Sequence, residues 1–172
     1  RDVLAFQSGN PAAAGSMNPV VDGRFVPTSV GEVFRAGRQA PVPYVAGATD
    51  WEGSLVQMLD DAEFMLRNFR MTRADAKALY GDLDGRALID ALEADFFFGS
   101  QHYLATLHAA AGHPSWLYFF TRVLEAELGR LPGAAHGAET RYALRTLASL
   151  EGPASMPVFG NRVAEADRAY AQ

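Results

Sequence analysis

The sequence predicts an α/β protein, and three observations carry that prediction. Two apolar stretches, roughly Pro43 to Ala46 and Trp116 to Val123, have the composition of sheet strands. The residues between them repeat apolar side chains at helical spacing. Each strand runs into a loop of small residues, one bearing Glu52 and the other His136, with helix expected beyond both. Open α/β sheets keep their chemistry on loops at the C-terminal ends of strands.

Taken in order, residues 1–16 read as a short apolar piece, Val3 to Phe6, followed by a loop of small residues, an opening unlike a domain start. A first residue of Arg rather than Met suggests that something precedes it. Asn18 to Pro27 places two short apolar segments around Asp22-Gly23, a pair that favours the positive φ of a tight hairpin turn. Gly31 to Arg38 allows two helical turns ending at Gly37. Pro41 and Pro43 enter the first strand, since proline is tolerated at a strand start but not in its middle, and Gly47 is expected to release it. Ser54-Leu55-Val56-Gln57 has the form of a capping box. A helix over Leu55 to Phe69 should then bury residues 55, 56, 59, 62, 66 and 69.

Thr72 and Asp75 cap a short helix ending at Gly81. Asp84 caps another, with Leu88, Ile89, Leu92 and Phe96 on one face, until Gly99 interrupts it. A further helix runs from Ser100 to Gly112, and Pro114 closes the region. Trp116 to Val123 is continuously apolar, as suits a strand buried on both faces. Leu124 to Ala135 is too punctuated by Gly129, Pro132 and Gly133 for a long helix and reads as the loop that delivers His136. Helix resumes over Ala138 to Leu150, and the last twenty residues have a weak pattern.

Composition bounds what Glu52 and His136 can serve. At 172 residues the chain has the length of one domain or part of one and can bury about two thirds of its unfolded surface. A net charge of −5 argues against a nucleic-acid or anionic-membrane surface. The absence of cysteine excludes disulfides, Cys-ligated zinc and a Cys nucleophile, and is compatible with a bacterial cytoplasm. No apolar run approaches the roughly 20 residues that span a bilayer. His102, His108 and His113 lack the spacing and carboxylate neighbours of a metal site, so neither metal nor cofactor is expected. Phe96-Phe97-Phe98 fits a buried helix face better than a substrate platform, and Asp60-Asp61 fits a solvated one.

A carboxylate after one strand and a histidine after the next is the order in which an α/β-hydrolase places the acid and base of its triad, after the serine. A serine hydroxyl is a weak nucleophile at neutral pH. It needs a neutral imidazole to take its proton and a carboxylate to fix the tautomer and stabilise the imidazolium.

Three phrases, Pro19-Val20-Val21-Asp22-Gly23-x-Phe25-x-Pro27, Gly47-Ala48-Thr49-Asp50-Trp51-Glu52-Gly53-Ser54 and Gly133-x-x-His136-Gly137-x-Glu139, resemble the type-B carboxylesterase (cholinesterase-like) family of α/β-hydrolases. The resemblance runs from about residue 17 to 147 and covers only the C-terminal part of a family member. It implies one partial domain over 1–172: the last sheet strands, with a helical insertion between the acid and His loops. Family members usually show Asn-x-Asp-Glu-Gly at the acid, where this chain has Trp51 before Glu52. By resemblance Glu52 is the triad acid and His136 the base. Ala13 and Gly15 would leave a roomy acyl side to the pocket, and Leu55 and Val56 would form an apolar wall, which suits an uncharged, small-molecule ester. The family's serine, in Gly-Glu-Ser-Ala-Gly-Gly, has no counterpart here, and no serine of the chain has glycine at both −2 and +2. The expectation is an ester hydrolase whose serine lies in an N-terminal part of the same protein, these 172 residues alone being inactive. The alternative is a non-catalytic, adhesion-type relative that binds proteins. A third view, a fragment with an uncovered sheet edge, predicts dimers or aggregates on isolated expression, and the helices between the two loops could serve a homodimer or a lid.

Overall fold

The computed structural model describes residues 21–147 and 163–171. The chain divides into two units, residues 1–41 and 42–172.

In the first unit, the expected hairpin is absent from the described residues. Asp22 Oδ1 accepts the N–H groups of Arg24, Phe25 and Val26, each at 2.9 Å, so the donors a strand ladder needs are taken by one carboxylate. Gly23 does adopt the expected positive φ, +74°. Helix α1 covers Val30–Arg35, with a capping box between Ser29 and Glu32.

The second unit is built on a parallel strand pair. Strand β1, Tyr44–Thr49, lies beside β2, Ser115–Phe120, in register from Tyr44 opposite Ser115 to Thr49 opposite Phe120. Gly47 does not release the strand. It sits inside β1 because the carbonyl oxygen and ring of Tyr118 occupy the space a Cβ would need.

Past β1, the helix expected over Leu55 to Phe69 is two elements: a 3-10 turn, Glu52–Val56, and helix α2, Ala62–Asn68. The cause lies elsewhere in the chain. Arg86 draws off the carbonyls of Gly53 at 2.8 Å, Val56 at 3.0 Å and Leu59 at 3.4 Å, which a continuous helix would use internally. Asp61 starts α2, its Oδ1 accepting the Phe64 N–H at 2.9 Å. Helix α3, Arg73–Tyr80, carries the expected Thr72–Asp75 box and ends at Gly81. Helix α4, Gly85–Ala94, is capped by Asp84 as expected.

Gly99 interrupts nothing. Asp95–Gly99 is a π-helical turn that joins α4 directly to α5, Ser100–Ala110. The wider turn shifts the helical phase. Leu88, Ile89 and Leu92 are fully buried, but Phe96 rotates out to 53% exposure, while Phe97 and Phe98 are half-buried. The core packs Ala62, Met65 and Leu66 of α2 and Ala76 of α3 against Leu88, Ile89 and Leu92 of α4.

Strand β2 is present but shorter than expected, and it is not buried on both faces: Trp116 and Phe119 are more than half exposed. Its main neighbours among the described residues are β1 and α5. Beyond a 3-10 turn, Glu125–Glu127, the chain reaches the His136 loop and helix α6, Ala138–Ala143. The helix expected as far as Leu150 stops at Ala143, where Arg145 takes a left-handed φ of 55° and the chain turns to bury Leu147 against Leu124. The weakly patterned end contains helix α7, Glu165–Tyr170. Its fully buried Asp167 accepts from Arg122 Nη2 at 2.7 Å and from the Glu125 N–H at 3.2 Å. Helices packed with a parallel strand pair give this unit a mixed helix-and-strand structure compatible with the α/β class. No helix of the described residues is long and apolar enough to cross a membrane.

Candidate functional site

The two loops that follow β1 and β2 are stapled together residue by residue. Asp50 Oδ1 accepts the Ala134 N–H at 2.6 Å. The Trp51 N–H donates to the Ala134 carbonyl at 3.2 Å, and Trp51 forms a parallel bridge with Ala135. Gly133 is required at this crossing, because a Cβ there would lie 2.6 Å from Asp50 Oδ1. Ser54 Oγ, expected to cap a helix, instead accepts the His136 N–H at 2.7 Å.

These staples set Glu52 against His136. Glu52 opens the 3-10 turn and is 3% exposed. Its Oε1 accepts the Thr49 N–H at 2.6 Å, and its Oε2 accepts from His136 Nδ1–H. One carboxylate oxygen thus anchors to the end of β1 and the other orients the imidazole. A carboxylate on Nδ1 fixes the tautomer in which Nε2 is the basic nitrogen, and it stabilises the imidazolium once a proton arrives. The imidazole remains partly open to solvent while its carboxylate partner is buried.

On the other side of the acid loop lies α4. A Cβ on Gly53 would collide with the Asp90 carboxylate and come within 2.6 Å of Arg86 Nη2, so the loop is pressed between α4 and the His136 loop. The Phe97 ring packs on the His136 imidazole, with centroids 4.9 Å apart and planes tilted by 50°. Glu93 is buried, and its carboxyl is raised above the ordinary range by that burial first, with the Glu52 charge adding to it and Arg86 and His136 opposing. Tyr118 OH donates to Glu139 Oε1 at 3.2 Å. Burial, followed by the Glu139 charge, pushes that phenol up to about 12.

Of the candidates drawn from the sequence, Glu52 and His136 are brought together. Leu55 follows Glu52 on the turn and is 57% exposed, whereas Val56 packs against the α2–α4 core. Ala13 and Gly15 lie outside the described residues. His108 is buried, with Nε2 2.8 Å from the Val42 carbonyl oxygen and its ring against Tyr44 and His113. Among the described residues no cluster of His, Asp or Glu could hold a metal ion. A pocket lined by Arg122, Leu131, Ala134, Tyr142 and Leu147 includes neither Glu52 nor His136.

Sequence reasoning missed Asp50, Ser54, Phe97 and Glu93. Asp50 carried a signal, being a carboxylate two residues before Glu52 in the turn that follows β1. The others are set by tertiary contacts that local pattern does not encode.

No protein-family model matches the chain, and no curated protein matches it significantly.

Proposed function

We propose that this chain carries the acid and the base of a serine carboxylesterase, Glu52 and His136, and that the nucleophilic serine belongs to an N-terminal part of the same protein. The supporting observation is the contact between Glu52 Oε2 and His136 Nδ1 across 84 residues of sequence. In this reading the serine hydroxyl attacks the ester carbonyl while His136 Nε2 takes its proton. Glu52 holds the ring and offsets the positive charge. His136 then returns the proton to the departing alkoxide, and the same residues activate water to release the acid. The exposed side chain of Leu55 offers apolar surface close to Glu52, in keeping with a small uncharged ester.

The chain supplies no nucleophile elbow and no Gly-rich oxyanion loop, so it is expected to be inactive by itself. The deciding experiment begins with the coding region upstream of Arg1. A strand followed by Gly-x-Ser-x-Gly there, with p-nitrophenyl ester hydrolysis by the intact protein that His136→Ala abolishes, supports the esterase. An open frame with the serine replaced overturns it in favour of a binding relative, in which Glu52 and His136 are remnants. Hydrolysis unaffected by His136→Ala overturns it as well.

A further inference from the structure

Helix α4 and the π turn present one stripe of side chains to the site. Arg86 and Asp90 stand four residues apart, Glu93 three further on, and Phe97 four beyond that, a spacing that keeps neighbours on one helical face. The two ends of the stripe are fixed by contact. Arg86 Nη2 donates to the Gly53 carbonyl at 2.8 Å, next to Glu52, and Phe97 lies on the His136 ring. Glu93 therefore falls between the residue that holds the acid loop and the residue that holds the base. It is 6% exposed, so its carboxylate reaches its neighbours without the screening that surface charges suffer.

We propose that Glu93 is a positioning residue of this site, a second carboxylate behind Glu52 that stabilises positive charge on His136 when the imidazole holds a proton. Among the described residues, the charged groups on the elements packed against it are these. On its own helix are Arg86 and Asp90, bonded to each other at 2.6 Å. On the acid loop is Glu52, and on the facing loop His136. The charges of α2 are exposed and engaged elsewhere, Glu63 with Arg73 and Arg67 with Asp61. On the π turn, Asp95 accepts from Tyr80 OH. Three carboxylates, Glu52, Asp90 and Glu93, and one imidazole thus share a site with the Arg86 guanidinium, which Asp90 already engages. Burial disfavours a charged Glu93, the Glu52 charge disfavours it further, and Arg86 and a protonated His136 favour it. The consequence is reciprocal: a proton on His136 and the charge on Glu93 support each other.

The catalytic meaning of that coupling rests on the esterase reading, but the coupling itself does not. The full chain, with ¹³C-labelled glutamate side chains, is titrated by NMR. Glu93 should titrate above the ordinary glutamate value of 4.5, Glu52→Gln should move its midpoint down, and His136→Gln should move it up. A Glu93 midpoint at or below 4.5 in the unaltered chain overturns the proposal with no variant needed. So does a midpoint indifferent to both substitutions in chains whose amide spectra remain native. In the intact esterase Glu93→Gln should lower kcat about tenfold, the worth of one pKa unit of interaction, and Glu93→Asp, which keeps the charge, should retain more. An intact protein without hydrolysis sinks the esterase and leaves the titration standing. Hydrolysis with an uncoupled Glu93 sinks only the role given to Glu93.

Discussion

Ser54 shows how one hydroxyl can be read correctly as a chemical group and wrongly as a partner. With Gln57 three residues on, it has the pattern that starts helices, yet its oxygen accepts the backbone N–H of His136, 82 residues away. Local spacing cannot report a contact at that separation. Removing the hydroxyl strands a donor in the half-buried crossing of two loops, so Ser54→Ala should cost about 1–3 kcal/mol in urea unfolding. The effect should exceed that of replacing Ser100, whose Oγ only donates to a carbonyl one turn back at an exposed position. Glu52 was legible for the opposite reason: its value lay in its order along the chain, after one strand and before the His loop. Glu52→Gln preserves the acceptor for the Thr49 N–H but presents His136 with a group that permits the wrong tautomer. Under the proposed esterase reading, kcat of the intact protein should fall by about 10⁴ with little change in KM, the size seen when a triad carboxylate is made an amide.

At the scale of elements, legibility divides by where the determining contact lies. The caps at Ser29, Thr72 and Asp84 act within three residues of themselves, as do the stops at Gly37 and Gly81. In the sequence Thr72 and Asp84 stand out as caps and Gly37 and Gly81 as stops, whereas Ser29 does not. The break between the 3-10 turn and α2 coincides with carbonyls drawn off by Arg86, and the π turn places Phe97 and Phe98 against the His136 ring and Phe119, contacts distant in sequence that leave no local signature. Gly47 is the sharpest case. It reads as a strand end because glycine weakens strands, but it is held inside one by the close approach of Tyr118. Gly47→Ala pushes a methyl group into a backbone carbonyl that is fixed by strand pairing. A loss of about 3 kcal/mol is expected in urea unfolding, and Tyr118→Ala should recover only the ring's share of it.

The link between α3 and the π turn gives a pH test. Tyr80 OH donates to Asp95 at 2.7 Å, and burial, then that bond, lift the phenol from 10.0 to about 12. A folded-state value above the unfolded one means that the contribution is fully present below pH 10 and is lost as pH rises towards 12. Thermal stability should therefore fall across that window, and Tyr80→Phe should flatten the slope. Tyr118, also raised to about 12, leaves a second slope in that variant. A curve unchanged by Tyr80→Phe would show that Tyr80 titrates alike in both states.

For the whole molecule, the order of strand, acid loop, helices, strand and His loop follows from hydrophobic pattern and punctuation, and all five parts are found in that order. Burial was not legible. A continuous apolar run says that a strand is built to be covered, not that it is covered by the residues in hand. Strand β2 leaves Trp116 at 54%, Leu117 at 40%, Tyr118 at 37% and Phe119 at 56% exposure, and Val45, which pairs with Trp116, is 63% exposed on the same face. Side chains of this size on an open strand form an association surface, and a net charge of −5 spread over the chain offers little local repulsion to oppose it. The isolated chain should elute in light-scattering chromatography as dimers or larger species, and Trp116→Lys should shift it towards monomer by placing a charge at the centre of the patch. A monodisperse monomer at high concentration would mean that β2 needs no cover, and would count against the larger sheet that the proposed esterase requires.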